Sequence, residues 1–276
     1  MGKSTLMNKL VGENLSIITS KAQTTRHRII GIVNQPGIQV VFSDTPGVLD
    51  PNYKLQETMM KVVNNALSDA DIILLVTDIY EKELNNKKTH ERLQKTSIPV
   101  IVLINKIDLG SQIAMEKRID HWHGLLPNAE ILPISALNSF NVEMLWTRIV
   151  QLTPENPPYY ETDDLTDRPL RFFISEIIRE KILMHYQKEI PYSCEVVIEA
   201  FKESPKIVHI NAVIYVERDT QKAIIIGHGG NKIKHVGIDS RKDIQKVVGK
   251  QVHLELFVKV DKDWRQDEKK LSGYGY

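Results

Sequence analysis

Short apolar runs alternate with amphipathic stretches through the first half of the chain, and this rhythm limits the fold more than any other feature. The runs predict strands at 29–33, 38–43, 72–77, 100–104 and 131–134, and the stretches predict helices at 54–67, 88–96, 113–125 and 142–152. Such alternation favours an α/β domain with a mostly parallel sheet wrapped by helices. The turn at residues 35–37 separates the first two runs and predicts an antiparallel hairpin at the sheet edge.

Residues 154–169 interrupt this rhythm. They hold four prolines and five acidic residues, a composition that stays stiff and solvated and is typical of a linker. We therefore predict a first domain at 1–153, a linker at 154–169 and a second domain at 170–276. The second domain is predicted to be α+β, with a helix at 170–184 and two strands at 194–201 and 208–216. After these strands come an apolar run at 223–226, a glycine cluster, a basic helix at 238–248 and a last strand at 252–258.

The charge distribution favours a nucleic-acid partner for the second domain. The whole chain carries a formal net charge of only +1, but residues 222–250 hold seven basic residues against two acidic ones. The seven are Lys222, Lys232, Lys234, Arg241, Lys242, Lys246 and Lys250. A basic patch of this kind attracts a phosphate backbone, although a solvated helix face would give the same count.

Cysteine usage indicates a reducing environment. Cys194 is the only cysteine, so no disulfide can form within the chain, and a cytoplasmic setting fits. We predict that Cys194 is a buried small hydrophobe without a catalytic role.

Gly2, Lys3, Ser4 and Thr5 have the pattern that ends a phosphate-binding loop. In such a loop the lysine reaches the β- and γ-phosphates, the serine hydroxyl binds Mg²⁺, and the free N–H groups of a helix N-terminus face the anionic charge. A capping serine beside a solvated lysine would have the same sequence, so the motif alone is weak evidence.

A second candidate segment, Asp44-Thr45-Pro46-Gly47, follows an apolar run. A carboxylate at the end of a buried strand can hold Mg²⁺ through water, and Gly47 can offer its N–H to a γ-phosphate. Loss of that phosphate would release the segment and give a switch. An ordinary turn at the end of a strand is the alternative interpretation, since Asp and Pro-Gly favour turns.

Asn105, Lys106 and Asp108 lie at the end of another predicted strand and indicate a guanine site. An aspartate here can accept hydrogen bonds from guanine N1–H and the exocyclic amine. Adenine offers neither donor, so the carboxylate would lose its partners. Ser135, Ala136 and Leu137 follow the next predicted strand and can supply a backbone N–H to guanine O6. We expect the four motifs together to bind a guanine nucleotide, because three of them follow strands in the context that they require.

This set of motifs resembles the translation-factor-related GTPases, and Lys21-Ala22-Gln23-Thr24-Thr25-Arg26-His27-Arg28 resembles the first switch segment of their Era branch. The resemblance implies GTP or GDP as ligand and Mg²⁺ as cofactor. It makes Ser4, Thr25 and Asp44 the candidate metal ligands, with Thr24 as the alternative to Thr25. Lys3, Thr25 and Gly47 are the candidate catalytic residues.

Val48 follows the Asp44–Gly47 segment, where Ras-like enzymes carry a glutamine that orients water. A valine cannot hydrogen-bond to water. We therefore expect slow GTP hydrolysis, unless another element or a partner orients the water.

Gly227, His228, Gly229 and Gly230 form a G-x-x-G loop, with Lys232 and Lys234 immediately after it. In KH domains such a loop lets the backbone approach the sugar-phosphate chain of single-stranded RNA, and lysines beside it contact phosphates. A tight turn is the alternative interpretation of the loop alone. The surrounding strands, basic helix and last strand favour a type II KH domain.

The segments at 166–169 and 175–183, the Asp263-Trp264-Arg265 triplet and the closing Gly275-Tyr276 extend the Era resemblance over essentially the whole chain. The resemblance implies binding of the 3′ end of small-subunit (16S) ribosomal RNA and a GTP-dependent role in maturing the 30S ribosomal subunit. It implies a monomeric, cytoplasmic protein with some peripheral contact with the cytoplasmic face of the membrane, and no DNA partner.

The start of the chain departs from the family pattern. In that pattern a strand and the leading half of the phosphate loop precede Gly2, whereas here Met1 does. We expect a misassigned start or a truncated fragment that lacks the first, central strand and binds GTP poorly. Two alternatives stay open: an RNA-binding adaptor with a vestigial nucleotide site, and a related GTPase whose second domain binds protein.

Overall fold

The computed structural model describes residues 1–21, 23–81, 84 and 86–276, and these form two compact units. The first unit comprises Met1–Ile18, Thr25–Pro51 and Met59–Asp167, and the second comprises Thr19–Thr24, Asn52–Thr58 and Arg168–Tyr276. The predicted linker at 154–169 and the domain limits beside it stay predictions.

The first unit alternates strands with helices. Its strands are β1 (Ile29–Gln35), β2 (Ile38–Asp44), β3 (Ile73–Asp78), β4 (Val100–Asn105) and β5 (Glu130–Pro133). Its helices are α1 (Lys3–Val11), α2 (Lys54–Asp69, whose first residues belong to the second unit), α3 (Lys87–Lys95), α4 (Gln112–Leu125) and α5 (Val142–Leu152). Side chains cap the N-termini of two of the helices. Asn86 accepts a hydrogen bond from the N–H of Thr89, and Ser111 accepts one from the N–H of Ala114.

Two separate sheets organise this unit. Strands β3, β4 and β5 pair in parallel, and all six residues of β4 are buried, as expected for a strand covered on both faces. Strands β1 and β2 form an antiparallel pair with Ile29 opposite Asp44 and Gln35 opposite Ile38. The mostly parallel α/β fold and the hairpin are confirmed.

The sequence pattern predicts the hairpin at the sheet edge, whereas the structure, over the residues that it describes, has it as a pair that is not hydrogen-bonded to the parallel strands. Among the described residues, β2 pairs with β1 alone and β3 with β4 alone. A cleft of about 1300 Å³ is lined by apolar side chains of both strands, including Val40, Phe42, Leu74 and Val76.

The second unit is an α+β domain built on a three-stranded sheet. Its helices are α6 (Leu170–His185), α7 (Asp219–Ile226), α8 (Asn231–Val248) and α9 (Glu268–Gly273), and its strands are β6 (Cys194–Glu203), β7 (Ile207–Val216) and β8 (Gln251–Val260). Strand β7 is central, antiparallel to β6 and parallel to β8. Helices α6 and α8 pack on the sheet through buried side chains such as Ile174, Ile178 and Ile244. Cys194 is fully buried, as predicted.

Two features of this unit correct the sequence prediction. The pattern leaves out helix α7, of which the apolar run at 223–226 is the last turn. Gln221 fixes the start of that helix by accepting hydrogen bonds from the N–H groups of Glu217 and Arg218. The basic helix begins at Asn231 instead of residue 238, because Gly230 takes the left-handed conformation and lets the helix start directly after the loop.

Within the described ranges, no helix is both long enough and apolar enough to span a membrane.

Candidate functional site

Four polar segments of the first unit lie at one edge of its strands. Asp44 ends β2, Asp78 ends β3, Asn105 ends β4, and Ser135 lies two residues after the end of β5. Because β3, β4 and β5 run in parallel, their carboxyl ends meet at the same edge, where open α/β sheets bind their ligands.

Helix α1 begins with the phosphate-loop residues. Lys3, Ser4 and Thr5 form its first turn, and Gly2 precedes them with a φ of 89°. A Cβ on Gly2 would lie 2.6 Å from Nδ2 of Asn105, so both the backbone angle and the close approach require glycine. The first N–H groups of a helix have no partner within the helix, and they make this terminus suited to an anion.

The side-chain oxygens of Ser4, Thr25 and Asp44 lie close together at that turn. Ser4 Oγ donates to Asp44 Oδ2 over 2.7 Å and lies 3.1 Å from Thr25 Oγ1. Thr25 Oγ1 donates to the same Asp44 oxygen over 3.4 Å. The neighbouring Thr24 belongs to the second unit, where its hydroxyl lies 2.8 Å from that of Thr19. The geometry therefore brings Thr25, not Thr24, to Ser4 and Asp44.

The carboxyl of Asp44 is buried among groups that shift its pKa in opposite directions. Burial raises the pKa of its carboxyl, while Lys3 and the hydroxyls of Ser4, Ser16 and Thr25 oppose the rise. Only 4% of the residue is exposed. A buried carboxylate that keeps one lysine and several hydroxyls near it is electrostatically suited to a further cation.

The rest of the Asp44–Gly47 segment leads from this cluster toward Lys3. Pro46 is buried, Thr45 and Gly47 are partly buried, and a Cβ on Gly47 would lie 3.8 Å from the ammonium of Lys3. Val48 follows and contributes to the lining of the cleft.

The residues predicted to bind the base form a second group at the same edge. Ser135 Oγ donates to Asp108 Oδ1 over 2.5 Å, and the N–H of Ala136 donates to Asn105 Oδ1 over 2.9 Å. Asp108 is exposed within a short 3₁₀ turn, and Leu137 is 72% exposed. The Asp108 carboxylate is thus oriented by one hydrogen bond and open to solvent.

Asp78 belongs to this group, and the sequence analysis does not include it. It accepts from Lys106 Nζ over 3.0 Å, and Lys106 reaches it from a left-handed backbone with a φ of 61°. Burial opposes ionisation of Asp78, but the hydrogen bonds from Lys106, the Tyr80 N–H and the Met1 ammonium together outweigh it, and the pKa of Asp78 is lowered. Asp78 could have been predicted from the sequence, because it ends a strand at the edge where Asp44 and Asn105 end theirs.

The G-x-x-G loop of the second unit joins α7 to α8. Gly227, Gly229 and Gly230 have φ values of 70°, 59° and 78°. A Cβ on Gly229 or Gly230 would meet nothing within 4 Å, so the outer side of the loop is open. His228 is exposed in the same loop. A chain can approach this backbone closely only because side chains are absent there.

The basic patch of residues 222–250 divides into paired and unpaired charges. Lys246 and Lys242 lie 2.7 and 3.7 Å from Asp243 and Asp239, and Lys250 pairs with Glu203 over 2.5 Å. Lys232 and Lys234 are exposed and form no ion pair with the residues that the structure describes. Arg241, further along α8, is exposed and also forms no ion pair with the described residues, so the available positive charge extends from the glycine loop along the helix.

Of the predicted first-switch segment, Lys21, Gln23 and Thr24 belong to the second unit and Thr25–Arg28 to the first, while Ala22 lies outside the described residues. Lys21 Nζ donates to the carbonyls of Leu183 and Tyr186 at the end of α6. Arg179 of α6 is 1% exposed, donates to the carbonyl of Thr24 over 2.6 Å and forms a two-bond ion pair with Glu176. The sequence pattern predicts this helix at 170–184 but does not reveal that Glu176 and Arg179 are buried within it.

Known families match both units. Residues 1–106 match the family described as 50S ribosome-binding GTPase, and residues 189–265 match the KH domain. With the fold and site described above, these matches define a P-loop GTPase followed by a KH domain.

Similarity over the full length is more specific. GTPase Era of Geotalea daltonii is 40% identical, over 100% of this chain and 94% of that protein. The crystal structure of Era with MgGDPNP and nucleotides 1506–1542 of 16S ribosomal RNA has a TM-score of 0.95 and 38% identity, and covers 100% of this chain and 94% of that one. A point variant of Aquifex aeolicus Era bound to GDP·AlF4⁻ has a TM-score of 0.93 and 38% identity, with coverage of 100% and 95%. The chain belongs to the Era family of GTPases.

Proposed function

We propose that this chain binds GTP and GDP with Mg²⁺ at the edge of the first unit, hydrolyses GTP slowly, and binds single-stranded ribosomal RNA through the second unit. The observation that carries the proposal is the convergence of two groups at one edge, Ser4–Thr25–Asp44 and Asp108–Ser135. The first group suits a hydrated divalent cation and the second suits a purine base with hydrogen-bond donors on its edge.

We assign the selection of guanine to Asp108. Its Oδ1 is engaged by Ser135, which fixes the plane of the carboxylate and leaves its other oxygen free to accept from the base. The side-chain carbonyl oxygen of Asn105 holds the N–H of Ala136 and so fixes the loop that carries Leu137. We assign to this loop the N–H that meets guanine O6.

The donor set fits Mg²⁺. Within the described residues, no three His, Cys, Asp or Glu side chains lie together as a metal site, so the oxygens of Ser4, Thr25 and Asp44 must suffice alongside phosphate and water. Mg²⁺ usually binds in this way, with one or two protein oxygens and substrate phosphates. When bound, the cation neutralises charge on the phosphates. We assign Ser4 and Thr25 as direct ligands and Asp44 as the residue that holds the cation's water.

The remaining residues act on the phosphates. Lys3, with the N–H groups of the first turn at Gly2, Ser4 and Thr5, neutralises and orients them, and Gly47 lies near enough to Lys3 to share the γ-phosphate. Thr45 and the buried Pro46 connect Gly47 to Asp44. Val48 has no group to orient water, so single-turnover hydrolysis by the purified chain should be far below the rate of enzymes with a glutamine there.

The second unit contributes RNA binding. The open backbone at Gly229 and Gly230, with His228 at the surface of the same loop and the unpaired Lys232 and Lys234 after it, suits a sugar-phosphate chain. Since a related Era binds nucleotides 1506–1542 of 16S RNA, we propose the 3′ end of small-subunit RNA as the ligand, and assistance to 30S subunit assembly as the role. We extend the proposal to a cytoplasmic monomer with peripheral membrane contact and no DNA partner.

Nucleotide and RNA titrations test both halves. GTP and GDP should bind with Mg²⁺ in preference to ATP, and a single-stranded RNA of the 16S 3′ sequence should bind more weakly as salt rises. Gly229→Asp should abolish RNA binding without loss of fold, because a Cβ there meets nothing and aspartate tolerates a left-handed backbone. RNA binding without any nucleotide affinity would support the adaptor, and no RNA binding would favour a protein-binding second unit.

A further inference from the structure

Asp78 is a carboxylate beside the candidate base site to which the function above gives no role. It ends β3 at the edge where the base-binding residues lie, and its side chain is 12% exposed. A charge removed from water in this way needs partners to compensate the lost solvation. The partners of Asp78 therefore indicate what the carboxylate does.

Both oxygens of the Asp78 carboxylate are engaged. Oδ1 accepts from the N–H of Tyr80 over 3.1 Å, which closes a turn in the loop after β3. Oδ2 accepts from Lys106 Nζ over 3.0 Å and from the Met1 ammonium over 3.2 Å. Asp78 is thus held by its own loop and presents a fixed oxygen to two cations, of which Lys106 belongs to the candidate base site.

The backbone of Lys106 is strained, so the contacts around it must hold it. Its φ of 61° and ψ of 34° lie in the left-handed region, which lysine seldom adopts. This residue starts the short turn that carries Asp108, and the N–H of Leu109 closes the turn on the Lys106 carbonyl over 3.0 Å. The same turn therefore sets the direction of the Lys106 side chain, which reaches Asp78, and the position of Asp108.

A lysine stem held at this place suits the face of a purine base. The four-carbon stem is apolar and can pack against a ring while the ammonium keeps its hydrogen bond. The Lys106 side chain is 40% exposed, so part of the stem stays open to a ligand. Because Asp78 holds the ammonium, the stem has lost rotamer freedom before a base arrives, and binding costs less ordering.

We propose that Asp78 is a positioning residue of the nucleotide site, whose carboxylate holds the Lys106 side chain across the face of the bound base. The proposal rests on the proposed function of that site. Contact with the face of a base does not distinguish its edge, so Asp78 should affect guanine and adenine nucleotides alike, unlike Asp108. Residues in direct contact typically couple by an amount that corresponds to about 2- to 150-fold in affinity.

A double-mutant cycle on GDP binding to the full chain tests this assignment. Asp78→Asn should weaken GDP about tenfold and leave the ratio of GDP to ADP affinity unchanged. Lys106→Met, which keeps an apolar stem without the ammonium, should weaken GDP by a similar factor. In the Lys106→Met background, Asp78→Asn should cause no further loss, because its effect passes through the lysine.

Glu130→Gln is the matched control. Glu130 pairs with Arg148 over 2.6 Å, but it begins β5 and so lies at the opposite end of that strand from the site. Its substitution should leave GDP affinity unchanged.

Three results would overturn the assignment. They are wild-type GDP affinity in Asp78→Asn, a changed ratio of GDP to ADP affinity in that variant, and a loss that persists in the Lys106→Met background. The last result would trace the effect to the Met1 contact or to packing. In each case GDP binding by the unsubstituted chain would leave the proposed function standing, whereas its absence would overturn both.

Discussion

Asp108 combines one fixed oxygen with one exposed oxygen, and this division determines its use. The bond of 2.5 Å from Ser135 is in the range of strong charge-assisted hydrogen bonds and keeps the carboxylate from rotating. A purine edge with two adjacent donors then finds an acceptor already oriented, which reduces the ordering cost of binding.

We predict that Asp108→Asn removes the preference for GDP over ADP. Hydrogen bonds to charged groups contribute about 1.5–3 kcal/mol each, so guanine affinity should fall by roughly 100-fold or more. Competition binding with labelled GDP measures the loss. Asp120→Asn makes the same change at an exposed position of α4 and should leave the preference intact. An unchanged purine preference in Asp108→Asn would remove the basis for the guanine assignment.

The buried carboxylate of Asp44 lowers the stability of the folded chain, although the proposed cation site needs it. Its pKa in the folded chain is raised by burial above the ordinary 3.8, so ionisation is less favourable in the folded state than in the unfolded one. The carboxylate then costs stability that is absent below the unfolded pKa and complete above the folded pKa.

We therefore predict that Asp44→Asn raises the free energy of unfolding of the metal-free chain at pH 7. The difference from the unsubstituted chain should shrink as pH falls toward 3.8. Mg²⁺ and GDP at about 100 times their Kd should stabilise the unsubstituted chain by about 2.7 kcal/mol and the variant far less. Urea unfolding across pH, with and without Mg²⁺ and GDP, gives both results. A variant that is less stable at neutral pH would show that the carboxylate contributes to the fold.

At the scale of elements, helix α6 contains a buried ion pair that fixes a segment distant in sequence. Glu176 and Arg179 are 6% and 1% exposed, and Arg179 continues to the carbonyl of Thr24. Removing one member of such a pair leaves a charge uncompensated in the interior.

Glu176→Gln should destabilise the chain by about 3–5 kcal/mol, the usual cost of breaking a buried pair. The matched exposed pair is Arg148–Glu130, whose side chains are 39% and 42% exposed. Glu130→Gln should cost less than about 1 kcal/mol. Chemical denaturation of the two variants provides the comparison, and equal effects would mean that burial does not matter here.

The first turn of α8 and the later part of the helix should differ in their effect on RNA binding. Lys232→Ala and Lys234→Ala remove unpaired charges, so each should reduce the slope of log affinity against log salt by about 0.7 for single-stranded RNA. Lys246→Ala removes a charge that Asp243 already neutralises and should change the slope less. Binding isotherms at several salt concentrations give the slopes, and identical slopes for all three variants would assign the contact to the whole helix face.

The sequence predicted the strands of the first unit, and the helices that follow them, to within two residues, because apolar period and length agree there. It missed α7, since a helix of eight residues that ends in an apolar run looks like a strand. The early start of α8 depends on the left-handed Gly230, which no hydrophobic pattern reveals.

The candidate site was predictable where motifs end strands and unpredictable where contacts join distant residues. Asp44, Asn105 and Asp108 could be selected from their positions after apolar runs. Lys106–Asp78 and Arg179–Thr24 join residues 28 and 155 positions apart, and such pairs follow only from the fold. The choice between Thr24 and Thr25 needed the hydroxyl distances.

For the molecule as a whole, the cleft beside β2 and β3 is the main departure from a continuous sheet. We predict that an apolar strand of about six residues, joined before Met1 by a short glycine-containing loop, raises both the unfolding temperature and GDP affinity. It would cover apolar side chains and extend the loop that faces the phosphates. An equally long Gly-Ser extension is the control. If both extensions behaved alike, the cleft would not be a strand-binding gap.

The backbone amides beside the cleft and in the centre of the sheet should also differ in their rates of hydrogen exchange. Amides of β4, paired on both sides and fully buried, should exchange with deuterium only on global opening. Those of β2 and β3 that face the cleft pair with no strand on that side among the described residues, and they should exchange orders of magnitude sooner. An edge left free in this way also invites pairing with a neighbouring molecule, so concentrated solutions of this chain should associate through it before they unfold.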